Sequence, residues 1–369
     1  MRRALQNVGS KYRLGHRTPE LLFLIMLFLL TCQQTHCINL SNGNLTFVPL
    51  DIPRYESGID LSYNSIAAVE AGDFSGFDAL DEIDLRYNSI TAIDNQAFVN
   101  STIGIIRLGH NQFGEFPYFQ QDTVKEIYID YNNIMNFDLF LFMKMNPSVE
   151  KIKLFENKLQ SVILSHNSTS IVDFVRSKCN LSDIHLGKND LEFLDPGLFN
   201  GITSLKYLTL NYNILKTSVG CDVINGTSIE DLKLAGNQIT TFPDLRCIAQ
   251  TLKNVDLDKN KIRILHSTFI EELTNLITLD LSRNAITCLD ELPAWTQSSS
   301  LSLKLSSNPL KCDCRWEWLF FPFEAWREIR ERLVPAEEVA CLGGPHFLSL
   351  MPWANLTQSE ICPREYQES

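Results

Sequence analysis

"LTLNYNIL", residues 208–215, sets Leu208 and Leu210 five and three positions before Asn213, and Leu215 two positions after it. Related stretches are "IDLSYNSI" at 59–66, "IDLRYNSI" at 83–90, "YIDYNNI" at 128–134 and "LDLSRNAI" at 279–286. Aligned on the asparagine, the chain returns at Asn64, Asn88, Asn111, Asn132, Asn157, Asn189, Asn213, Asn237, Asn260, Asn284 and Asn308. The gaps are 24, 23, 21, 25, 32, 24, 24, 23, 24 and 24 residues. An aliphatic residue usually stands eight positions before the asparagine as well, as Leu205 and Leu276 do. A fixed period of this length means one small unit copied along the chain, whose apolar face is buried only when copies stack.

The physics of one copy follows from the spacing. In a short strand, alternate side chains face opposite ways, so the aliphatic pair before each asparagine points to the core and the residue between points to solvent. Stacked copies form a continuous parallel sheet, and after each strand the chain turns inward to return along the other side. Backbone groups buried at that turn cost about 1–3 kcal/mol each if left unpaired. An asparagine amide offers donor and acceptor together, which assigns the whole asparagine column a structural role. Phe74, Phe98 and Phe199 lie ten residues after their asparagines and Phe269 nine after, predicting an aromatic spine on the return side. The 32-residue gap carries the insertion "SVILSHNSTSIVDFVRSKCNLS" at 161–182, placed on the return side and read as glycosylated.

The pattern L-x-x-L-x-L-x-x-N-x-L resembles the leucine-rich-repeat family over residues 57 to 310. The resemblance implies an α/β solenoid, curved as a horseshoe, with a parallel β-sheet on its concave face and a mostly irregular convex side. "NPLKCDCRWEWLFFPFEAW" at 308–326, with Cys341 and Cys362, resembles the cysteine-rich C-terminal cap of extracellular members such as Slit-type, Toll-type and lamprey variable lymphocyte receptors. That resemblance implies pairing of Cys312 with Cys341 and of Cys314 with Cys362, while spacing alone leaves three connectivities open. Cys-x-Cys spacing departs from zinc ligand sets, and no metal site is expected. "CINLSNGNLTFVPLDIP" at 37–53 resembles the end of the matching N-terminal cap, whose usual four cysteines are reduced here to Cys32 and Cys37. The resulting organisation is a signal peptide at 1–32, a partial N-terminal cap at 33–56, about eleven repeats at 57–307, a cysteine-rich cap at 308–362 and a polar tail at 363–369. Cys247 falls in the phenylalanine column, where burial as a small hydrophobe competes with a bridge to Cys221. A Cys179–Cys221 bridge is equally drawable, and Cys288 has no obvious partner.

The compartment is read from the N-terminus and the modification signals. Arg2, Arg3, Lys11, Arg13 and Arg17 precede the apolar run "LLFLIMLFLL" at 21–30, which is short of the roughly 20 residues a membrane span needs and reads as a secretory signal. No second run of spanning length follows. Ten cysteines and seven glycosylation acceptors, Asn39, Asn44, Asn100, Asn167, Asn180, Asn225 and Asn355, agree with export. Asn100, Asn167, Asn180 and Asn225 miss the strand stretches, which would keep the sheet face clear of glycan. A net charge of −12 disfavours nucleic acid as a partner. Interleaved Glu328 and Glu331 make "WREIRERL" at 326–333 a solvated face rather than a polyanion site.

Function is sought on the outward positions of the sheet. Tyr63, Tyr87, Tyr128, Tyr131 and Phe155, edged by Asp60, Asp84 and Asp130, form the candidate ligand-binding patch, since tyrosines give contact area at small entropic cost. The competing account is that tyrosine suits strands and stacks on its neighbour in the next repeat. No nucleophile elbow, zinc helix or phosphate loop is present, so an enzyme is not expected, nor a cofactor. The expected function is a secreted binding protein recognising a protein or microbial ligand through the concave face. The alternatives are a structural matrix protein like the small leucine-rich proteoglycans, whose N-terminal cysteine cluster is missing here, or a membrane-tethered receptor ectodomain.

Overall fold

The computed structural model describes residues 37–166, 169–265, 270–289, 301–311 and 341–343. Twelve short strands build one parallel sheet in sequence order: Cys37–Asn39, Gly58–Asp60, Leu80–Asp84, Ile103–Arg107, Glu126–Tyr128, Lys151–Lys153, Asp183–His185, Tyr207–Thr209, Asp231–Lys233, Asn254–Asp256, Thr278–Asp280 and Ser302–Lys304. The return sides carry two-residue and three-residue parallel pairs, such as Ala68–Val69 with Ala92–Ile93 and Asn136–Asp138 with Ser161–Ile163. Strands pack closer together than the bulkier return segments can, so the stack bends towards the sheet and leaves it concave.

Each aliphatic position named by the repeat is in the core. Leu205, Leu208, Leu210 and Leu215 are fully buried, as are Leu276, Leu279, Leu281 and Ile286. The aromatic spine is present: Phe74 stacks on Phe98 at 5.6 Å, and Phe98 meets Phe119 at 4.9 Å. Phe199 is likewise buried. Phe269, the signal segment, Asn167, Asn355, Cys314, Cys362, the pairing at Cys312 and the stretch 326–333 lie outside the described residues. The backbone of Cys341–Gly343 runs parallel to Leu310–Lys311, with Cys341 in register with Leu310.

The asparagine ladder has a direction. Asn157 Oδ1 accepts the Ile134 N–H of the preceding repeat at 3.1 Å, and its Nδ2 donates to the carbonyls of Ile129 in that repeat and of Leu154 in its own, at 3.0 and 3.2 Å. All eleven asparagines accept an N–H from the repeat before. All eleven also donate to a carbonyl of that repeat. The residue before each one, from Tyr63 to Ser307, has a positive φ, between 51 and 58° at the ten non-glycine positions and 67° at Gly236. This left-handed residue ends the strand and aims the amide inward.

Three features exceed the sequence reading. Residues 37–43 form a further strand and turn, with Asn42 at φ 56° in the place of Tyr63 and Gly43 in the place of Asn64. The insertion folds on the return side as helix α2, Thr169–Lys178, beside the shorter α1, Leu139–Met145. The buried Arg176 of α2 donates from Nη2 to the carbonyls of Gly197 and Leu198 at 2.6 and 3.2 Å, pinning the insertion to the next repeat. Cys221 and Cys247 are bridged with their Cα atoms 5.7 Å apart, while Cys179 is unbridged and buried, and burial pushes its thiol up.

Replacing Asn157 by leucine strands the buried Ile134 N–H, while the Ile129 and Leu154 carbonyls each lose one of two amide donors and keep the other, from Asn132 and Asn189. The expected cost is about 1–3 kcal/mol, that of one unpaired buried group. It is read as a lowered denaturation midpoint, and an unchanged midpoint would refute the ladder's stabilising role.

Candidate functional site: the concave face

The register of the sheet lines Asp60, Asp84, Arg107, Tyr128, Lys153, His185 and Thr209 across its outward face in one row. Tyr128 is the centre of that row. The Arg107 guanidinium lies 4.7 Å from its ring centroid and the Lys153 ammonium 5.0 Å, each from an adjacent strand. Arg107 also bonds Glu82 of its other neighbour, and the Tyr128 hydroxyl donates to Glu126. The ring is thus held on both sides before any ligand arrives. Burial, then the Glu126 carboxylate, pushes its phenol up to about 12.

Beside Tyr128, Asp130 accepts the Phe155 N–H at 3.0 Å, and burial pushes its carboxyl above the ordinary range despite that bond and the nearby Lys153, His185 and His110. The Phe155 ring meets Tyr131 edge-on at 6.0 Å and has the Lys188 ammonium 4.9 Å from its centroid. Its flank rests on Gly187, where a Cβ would come within 3.3 Å of the ring. Asp183 completes the centre, 2.7 Å from both His185 Nε2 and Lys151 Nζ. Burial alone would raise its carboxyl, but the side-chain bonds from His185 and Lys151 hold it below the usual carboxylate value.

The other carboxylates of the predicted patch cap turns. Asp60 accepts the Ser62 N–H at 2.9 Å and its hydroxyl at 2.6 Å. Asp84 accepts the Arg86 N–H at 3.0 Å and pairs with its guanidinium. Such local bonds fix the tight turn that follows each strand.

Tyr63, Tyr87 and Tyr131 leave the strands and occupy the left-handed turn position, on the rim of the face. With His110 they form one continuous stack: Tyr63 to Tyr87 at 4.3 Å, Tyr87 to His110 at 4.2 Å and His110 to Tyr131 at 4.1 Å. The tyrosines are 53, 37 and 41% exposed, and Tyr87, stacked on both faces, meets solvent by its ring edge. Sequence reasoning missed His110; its place directly before Asn111 was the signal.

Asn39 falls on the first concave strand, in register with Asp60, and its Oδ1 takes the Ser41 N–H and hydroxyl as Asp60 takes those of Ser62. Asn100, Asn180 and Asn225 lie off the concave strands. Among the described residues no cluster of His, Cys, Asp or Glu is placed to hold a metal, and no helix is long and apolar enough to cross a membrane.

Comparison with known proteins places this architecture. The model described as "Leucine rich repeat" matches residues 58–113, 179–239 and 250–310. The matched residues are leucine-rich repeats. The chain is 38% identical over 96 residues, 26% of its length, to a phospholipase A2 inhibitor of Gloydius brevicaudus siniticus. It is 23% identical over 348 residues, 85% of its length, to podocan-like protein 1 of Mus musculus. These alignments take in 27 and 58% of the two relatives, so this repeat chain spans less than two thirds of either. Its fold is similar to a chain in the octameric complex of latrophilin 3, Unc5D and FLRT2, whose leucine-rich-repeat component is FLRT2. The TM-score is 0.59 at 18% identity, covering 88% of this chain and 97% of that one.

The raised Tyr128 phenol sets a pH window. A phenol whose folded value exceeds its ordinary 10.0 favours the fold while protonated, and that contribution is lost as pH rises from 10.0 through about 12. Denaturant stability should therefore fall more steeply across that window in the native protein than in Tyr128→Phe. Equal slopes would show that Tyr128 is not held in this way.

Proposed function

We propose that this chain is a secreted binding protein that captures a protein partner on the middle of its concave face, with Tyr128 and Phe155 as anchors. The observation that carries this reading is the clamped Tyr128 ring, fixed between Arg107 and Lys153 in the centre of a face that no other part of the described chain covers. An aromatic side chain already immobilised loses little entropy on binding, and rigid tyrosines ringed by cations are the composition of binding hot spots. Phe155 extends the anchor by one repeat. Asp130 sets the backbone between the two, Tyr63, Tyr87 and Tyr131 form the rim, and Asp60 and Asp84 shape the N-terminal approach.

A protein partner is favoured over a small molecule because the face is broad and shallow rather than concave at the scale of a ligand. The Cys221–Cys247 bridge and the glycosylation acceptors support an extracellular location. Proteins similar to this chain include one named for inhibiting phospholipase A2, and the FLRT2-containing complex is an assembly of leucine-rich-repeat and other protein domains. Both fit a scaffold that works by holding other proteins. A microbial surface molecule is the second ligand class, and it would engage the same anchors.

The test starts from a partner captured out of extracellular fluid on the immobilised protein, with its affinity then measured against variants. Tyr128→Ala and Phe155→Ala should each weaken binding by tenfold or more, about 1.4 kcal/mol or above, without lowering the melting temperature to a comparable degree. Tyr207→Asn converts "YLT" at 207–209 into a glycosylation acceptor on the face and should block the same partner by bulk. Full affinity in all three variants would remove the concave face from consideration.

A further inference from the structure

The repeat from Asn111 to Asn132 has the shortest spacing in the array, 21 residues. Its return segment therefore falls short of its neighbour's, and a groove of about 500 Å³ opens on that side between residues 95–102 and 120–123. The exposed side chains lining it are those of Asn95, Gln96, Asn100, Thr102, Gln120 and Asp122, besides Val99. The floor is already tied together. The buried Gln121 donates to the Phe98 and Ser101 carbonyls at 3.5 and 3.1 Å and accepts the Thr123 N–H and hydroxyl at 3.1 and 2.9 Å. Thr123 Oγ1 in turn accepts the Ile103 N–H at 2.9 Å. The groove is thus preformed, and its volume lies within the range of about 300–1,000 Å³ usual for ligand sites.

Its chemistry is unlike a protein-docking patch. Four carboxamides, a carboxylate and a hydroxyl offer both donors and acceptors, the complement of a hydroxyl-rich ligand carrying acetamido groups. One of the carboxamides, Asn100, is itself the first residue of the glycosylation acceptor Asn100-Ser101-Thr102. Its φ of 56° is the left-handed conformation of a tight turn, so the acceptor side chain is set at the groove's edge by its backbone. Asn225, twelve residues after its ladder asparagine as Asn100 is after Asn88, has an ordinary φ of −60°.

We propose that this groove is the seat of the N-linked glycan carried by Asn100, the innermost sugars folding back onto the protein rather than extending into solvent. Attachment forms a bond from Asn100 Nδ2 to the anomeric carbon of a polyprenyl-diphosphate oligosaccharide donor. The amide gives up one proton, and the lipid diphosphate leaves. The sugar hydroxyls and acetamido groups then meet the amides of Asn95, Gln96 and Gln120 and the carboxylate of Asp122. The glycan becomes a filler of the step left by the short repeat, lying over two return segments whose floor Gln121 already joins. The proposal rests on the reading that the chain is exported and glycosylated.

The experiment is native digestion of the secreted, full-length protein with peptide-N-glycosidase, followed by site-resolved mass spectrometry. The Asn100 glycan should survive at least tenfold longer than those at Asn180 and Asn225, and all three should be released after denaturation. A Gln120→Ala, Asp122→Ala double variant should keep Asn100 occupied but abolish its protection. Equal release rates at the three sites, or an empty Asn100 beside occupied Asn180 and Asn225, would overturn the seat while leaving the export reading intact. If no acceptor carries glycan, the export reading and the seat both fall.

Discussion

The fold depends on one side-chain interaction repeated eleven times: an asparagine amide that closes the turn of the repeat before its own. The sheet requires the chain to turn inward once per repeat, and each inward turn buries backbone groups with no strand partner. The left-handed residue before each asparagine aims the amide, in a conformation that disfavours ordinary residues by about 1–2 kcal/mol. Tyrosine, histidine, glutamate, lysine, arginine and serine all accept it here. Burial of the amide and its bonds offsets that cost, which frees the side chain at the strained position to vary.

That freedom is where the candidate site comes from. Core positions are fixed by packing and ladder positions by hydrogen bonding, so specificity is confined to outward strand residues and the turn. The first set supplies Tyr128 between its cations, the second the tyrosine and histidine stack. Phe155 belongs to neither pattern and covers the bare backbone at Gly187. The face is not uniform: towards the C-terminal end Asp256 and Asp280 adjoin in register, with Lys304 paired to Asp280. A partner seated on the centre would meet cations and rings, and one seated further along would meet carboxylates.

The period made the architecture legible, because burial and turn bonding both act at fixed offsets from the asparagine. The roles of Leu208, Leu210 and Asn213 could be read from spacing alone, as could the return-side placement of 161–182. Other features lay in properties that periodicity does not carry. The strand at 37–39 was hidden because its ladder position is held by Gly43 and not by an asparagine. The bridge of Cys221 to Cys247 depended on where two return loops meet, and spacing offered Cys179 equally well. At the site, the row containing Tyr128 was legible, but its clamping by Arg107 and Lys153 needed the register. The rim tyrosines were assigned to the strands because alternation of side chains gives no warning that the backbone changes hand one residue before the asparagine.

The backward reach of each amide also gives the array a polarity in time. A chain synthesised from its N-terminus presents each turn before the residue that will seal it exists, and the nascent solenoid always ends in one unsealed edge. That edge advances by one repeat with every asparagine added. Whatever follows Asn308 inherits the last open turn, which makes the C-terminal boundary the point where an unfinished molecule is most exposed to wrong contacts.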